Sequence, residues 1–136
     1  MPTRKKAHRI TPAYFESYAE YNRLLRSWFV AFGIGGLAMF LVEDRLRAAL
    51  TASGEARTVV ALFLTGVALQ ILITGLNKYA NWYCYAGEED AAYRHTATYR
   101  FWSGIARQFI IDVVVDLATV VAFFAASLTL FGVFAR

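Results

Sequence analysis

The chain has 136 residues, one domain's worth, and 58% of them are hydrophobic while 18% are charged. Soluble domains carry about 45–50% apolar residues, so this excess places the chain in the membrane class. The lone cysteine, Cys84, excludes an intrachain disulfide and any cysteine-based metal site, and the net charge of +4 is explained by membrane topology without a nucleic-acid partner.

Residues 1–11 read as a basic cytoplasmic tail whose RKKAHR run adds a weak attraction to anionic headgroups. It does not read as a signal peptide, because the first apolar segment starts too far from the N-terminus and exceeds the roughly 7–15 residues expected. Thr11-Pro12 has the form of an N-cap followed by proline at the first helical position, and a helix is predicted over about 12–50. Along it Tyr14, Tyr18, Tyr21, Leu25 and Trp28 recur at spacings of four and three, a cytoplasmic assembly face from which Glu16, Glu20 and Arg23 point away. Its apolar run, SWFVAFGIGGLAMFLV at 27–42, is short against the ~20 residues needed to span. Leu24 and Leu25 extend it, and Arg26 and Arg45 can snorkel to the headgroups. Within it Ala31, Gly33, Gly35 and Gly36 make a smooth helix-packing surface. The same FGIGGLA is not a phosphate loop, since no Lys-Ser or Lys-Thr follows and no strand precedes it.

TASGEA at 51–56 supplies a break, after which a second helix is predicted over about 56–86, spanning through TVVALFLTGVALQILITGL at 58–76. Gln70, Thr74, Asn77 with Lys78, and Asn81 recur on it at helical spacing as a polar stripe. Gly87 reads as its stop, and Glu88, Glu89 and Asp90 suit the positive end of the next helix, predicted over about 89–135. There Tyr99, Trp102, Ala106 and Phe109 share a face before the apolar run at 113–135. Trp28, Trp82, Tyr83, Tyr85, Tyr99 and Trp102 suit the membrane interface. The expected fold is therefore all-α: a single membrane domain, 12–136, of three spanning helices extended into a small cytoplasmic bundle.

Asp112 and Asp116 interrupt the third apolar stretch one turn apart on one face. A carboxylate facing lipid costs about 3 kcal/mol or more, so Asp116 should turn toward other helices or water. Antiparallel pairing with the second helix puts Lys78 near Asp112, and Thr74 and Asn77 near Asp116; Arg26 and Arg107 are alternative cationic partners. The polar intramembrane site expected from this reading comprises Asp112, Asp116, Gln70, Thr74, Asn77 and Lys78. Such a cluster either locks helix register or lines an acidic, water-filled vestibule.

Ten Lys and Arg flank the N-terminal side and the second connection against four on the other side, which predicts a cytoplasmic N-terminus and an external C-terminus; a bacterial plasma membrane is expected from a compact chain without a cleavable signal. The preferred function is a homo-oligomeric channel or pore-like assembly with that acidic vestibule. The alternative is a non-conducting anchor or scaffold holding a cytoplasmic protein. A small transporter is a third reading, with Gln70 alone near the membrane centre and no inverted repeat. No enzyme is expected. His8 and His95 lie outside the spans, so no bis-histidine haem pair exists, and no nucleophile arrangement, metal cluster or cofactor motif is present.

Overall fold

The computed structural model describes residues 10–135, with side chains from Glu16 onward. The basic tail up to Arg9, the side chains of Thr11, Pro12 and Tyr14, and Arg136 lie outside the described residues. The elements are α1 (Ile10–Val42), α2 (Asp44–Ala52), α3 (Ala56–Glu89), a 3-10 turn (Tyr93–His95), α4 (Ala97–Ala106) and α5 (Phe109–Phe134). Among the described residues there is no strand, and three helical segments are long and apolar enough to cross a membrane: Glu16–Val42 of α1, α3 and α5. This is the all-α, three-span fold that the sequence predicts.

α3 is the hub. It packs against α1 on one flank and α5 on the other, while α1 and α5 touch each other at few points. What holds the three together is close approach rather than water exclusion, since lipid tails are as apolar as the side chains. The rings of Phe29, Phe32 and Phe63 gather around Phe123, with centroids 5.3–6.3 Å from it. Small residues make room for these rings: a Cβ at Gly33 or Gly66 would overlap the Phe123 ring, and one at Gly36 would overlap Phe63. Thus two of the four small residues of α1 serve packing within the chain. Ala31 and Gly35 face outward, and nothing lies within 4 Å of where a Gly35 Cβ would stand.

The first predicted helix, over 12–50, is two helices. Glu43 leaves helical geometry at φ −92°, ψ 101°, and α2 folds back so that Leu46 and Leu50 join Val59, Phe63, Phe123 and Ala126 in the core. A straight continuation would have left both leucines in solvent. Arg47 secures the bend, donating to the Leu41 carbonyl at 3.2 Å and pairing with Asp44. The turn into α3 is made by Gly54 at φ +78°, a left-handed conformation that side chains resist.

At the other end α3 does not stop at Gly87 but continues to Glu89. Gly87 is instead the place where the Tyr99 ring of α4 lies on α3, and a Cβ would overlap it. Arg94 donates to the Gly87 carbonyl there, occupying an acceptor near the helix end. The predicted helix over 89–135 is likewise divided. Thr96 caps α4 by accepting from the Tyr99 amide at 3.2 Å, and the chain breaks again at Arg107 and Gln108 before α5. Thirty-four residues make α3 about 51 Å long against ~30 Å of hydrocarbon, so part of it projects beyond the bilayer. α4 packs on the projecting part, with Trp102 stacked on Tyr83 at 5.3 Å and 15°. Of the expected α4 face, Tyr99 and Trp102 turn inward, whereas Ala106 and Phe109 are exposed.

Candidate functional site

The polar residues of the spans collect at the end of the molecule that carries α4. Arg26 of α1 reaches across to Asp112, in the first turn of α5, at 2.7 Å. Asn77 of α3 donates to the same carboxylate oxygen at 2.8 Å. One side chain from each span therefore meets at Asp112, with Arg26 only 13% and Asp112 only 16% exposed. Two turns further into the bundle, Gln70 donates to Asp116 at 3.1 Å and to the Thr119 hydroxyl at 2.9 Å. Gln70 and Thr119 are fully buried.

The register explains both layers. Asn77 and Gln70 are seven residues apart on α3, and Asp112 and Thr119 seven apart on α5, so two turns of each antiparallel helix carry one polar contact onto the next. Asp116 turns inward, as the cost of lipid exposure requires. Six residues were expected in this site, and four meet: Asp112 with Asn77, and Asp116 with Gln70. Thr74 is exposed and donates to the Gln70 carbonyl of its own helix at 2.7 Å, not to Asp116. Lys78 is exposed and makes no ion pair among the described residues. Its place is taken by Arg26, which the sequence offered as an alternative. Thr119 went unrecognised as a site residue, although it lies one turn from Asp116 on a face already polar.

The polar chemistry ends there. Ser127 and Thr129 spend their hydroxyls on the Phe123 and Ala125 carbonyls, both at 2.9 Å, and the phenylalanine cluster fills the bundle beyond Thr119. Within the core two polar atoms have no partner among the described residues: Gln70 Oε1 and Arg26 Nε.

α1 and α5 touch at few points, bridged at this end by Arg26 and Asp112, and a groove of about 1150 Å³ opens between them over α3. Asn22, Arg23, Arg26 and Ser27 of α1, Thr74, Asn77 and Asn81 of α3, and Arg107 and Asp112 at the start of α5 supply its polar lining. Val30, Ala31, Ala80, Ala106 and Phe109 supply apolar walls. Three arginines against one aspartate make the lining net positive, the opposite of the acidic vestibule expected from the aspartate pair. The signal for Asn22 and Arg26 was present in the sequence, four residues apart and off the aromatic stripe.

The expected assembly face is outward throughout its described length: Tyr18, Tyr21, Leu25 and Trp28 are all exposed, Tyr21 and Trp28 by about 70%. No family model matches this chain, and neither a curated protein nor a solved structure was found to be similar to it. Fold and site together define a multi-pass helical membrane protein with a polar groove at one end of the bundle.

Proposed function

We propose that this chain is a non-conducting, non-enzymatic scaffold of a bacterial plasma membrane, holding a cytoplasmic protein at the end that carries α4. Its N-terminus and the α3–α4 connection face the cytoplasm and its C-terminus faces outside, the arrangement that the ten-to-four distribution of Lys and Arg favours. The carrying observation is α1 before Arg26. From Glu16 to Leu25 every described side chain except Asn22 is exposed, including Tyr18, Tyr21 and Leu25. A helical arm with so much uncovered aromatic and aliphatic surface gains its stability from something that covers it. The closed core supports the non-conducting part of the reading, since polarity stops at Thr119.

The competing reading is a homo-oligomeric channel. It is favoured by Ala31 and Gly35, which leave a smooth strip of α1 open to another copy. Pores would then run between chains, but the exposed face of α5 offers them only apolar residues such as Val113, Leu117, Val121 and Phe124.

A photo-crosslinking residue at Tyr21, installed in cells, tests the scaffold reading. It should trap one cytoplasmic protein in stoichiometric yield; crosslinks only to lipid or to second copies would contradict it. Liposomes containing the purified chain should leak protons and monovalent cations no faster than empty ones. Flux abolished by Asp112→Asn with Asp116→Asn would establish the channel instead.

A further inference from the structure

We propose that the groove between α1 and α5 is a binding site for one anionic phospholipid, with the phosphate held between Arg23 and Arg107 and one acyl chain lying along Val30 and Ala31. Tyr21, Leu25 and Trp28 lie outside its lining, so the site does not depend on what covers those three, while Tyr18 and Ala31 border it.

Three observations converge on that occupant. The first is charge. Among the described residues Asp112 is the only carboxylate lining the groove, and Arg26 is bonded to it. Arg23 and Arg107 line the same groove with no carboxylate within 4 Å among the described residues, and residues 1–15 contain no Asp or Glu that could serve them. Two arginines without counter-charges on one concave surface favour an anion, and guanidinium geometry suits phosphate oxygens. The amide side chains of Asn22 and Asn81 add donors on the same lining.

The second is position. Asp112 lies in the first turn of α5, the helix that then enters hydrocarbon, and Trp28 and Tyr79 stand at the neighbouring levels of α1 and α3. The arginines are thus at headgroup depth. The first turn of α5 also presents the positive end of a 26-residue helix to the groove.

The third is the amphipathic lining. Arg23, Asn81 and Arg107 lie toward the α4 end, and Val30 and Ala31, further along α1, provide an apolar wall. A free phosphate has no use for that wall, and a cation is disfavoured by the net charge. A headgroup joined to a tail fits both parts, and a cavity of about 1150 Å³ is large enough for a headgroup and the upper part of a chain.

The test is native mass spectrometry of the full-length chain, released from bilayers holding equal parts of phosphatidylglycerol, phosphatidylcholine and diacylglycerol. A single lipid adduct per chain is expected, with phosphatidylglycerol enriched about fivefold or more over the other two. Diacylglycerol retains the tails without the phosphate, so equal retention of all three would overturn the proposal using the wild-type chain alone. Arg23→Gln with Arg107→Gln should lower the phosphatidylglycerol adduct about tenfold or more. Arg45→Gln with Arg57→Gln removes the same charge at the opposite end and should leave the adduct intact. Equal loss in both double variants would reduce the effect to net charge and contradict the site. Addition of millimolar inorganic phosphate should not displace the lipid; displacement would make free phosphate the ligand and overturn the lipid assignment.

Discussion

At Asp112 a guanidinium and an amide, from two different helices, converge on one carboxylate oxygen. Removing the carboxylate charge leaves Arg26 87% buried without its partner, and breaking such a pair from one side is far more costly than replacing both members. Asp112→Asn should therefore destabilise the folded chain by about 3 kcal/mol, the low end for buried pairs because both groups retain some contact with solvent. Arg26→Gln combined with Asp112→Asn should recover part of that loss. Lys78→Gln should change stability by no more than about 0.5 kcal/mol, as for other exposed positions. Equilibrium unfolding in mixed micelles measures all of these. A Lys78→Gln effect as large as that of Asp112→Asn would restore the pairing that sequence spacing alone suggests. Deeper in the bundle, Gln70→Leu deprives Asp116 of its donor and should cost about 2 kcal/mol, whereas Thr119→Val should cost about 1 kcal/mol. The difference arises because Gln70 keeps its bond to Asp116 when the Thr119 hydroxyl is removed, and the Val115 carbonyl, to which that hydroxyl donates at 3.0 Å, keeps its helical backbone partner.

Between the helices, the glycines divide by what faces them. Gly66 lies against the Phe123 ring, so Gly66→Ala should force that ring aside and cost about 1–3 kcal/mol. Gly75 on the same helix has nothing within 4 Å, and Gly75→Ala should be neutral or stabilising by up to about 1 kcal/mol. Thermal denaturation of both variants in one detergent compares them directly. If the order were reversed, the α3–α5 packing described here would be wrong. The sequence distinguishes neither glycine, because the distinction belongs to the rotation of α3 against α5. The same holds for the cation at Asp112. Helical spacing put Lys78 near Asp112 and Asn77 near Asp116, but Asn77 is the residue that reaches Asp112, while Lys78, one residue and about 100° of rotation away, points out. Spacing resolves depth well and azimuth poorly. The interruptions at Glu43 and Arg107–Gln108 were also illegible, since neither contains glycine or proline. Tertiary packing imposes the first, where Leu46 and Leu50 gain a core by turning back. Leu50→Ala should accordingly cost about 2–3 kcal/mol, as for a fully buried side chain.

Across the whole molecule, three spans, their order and the inward turn of Asp116 were readable from apolar run length and the cost of charge in hydrocarbon. The sign of the groove was not, because it depends on which arginines α1 and the α4–α5 junction bring to the same surface. A polar end that is open and basic, joined to a bundle interior closed by Phe29, Phe32, Phe63 and Phe123, confines water-accessible chemistry to one side of the membrane. Cysteine accessibility tests that confinement most directly. In a Cys84→Ala background, with cysteine introduced singly at Asn22, Asn81 and Thr119, a membrane-impermeant thiol reagent should label the first two positions rapidly and leave the third unmodified. Labelling of Thr119→Cys at a comparable rate would mean that water reaches past Asp116, and the closed interior would be contradicted.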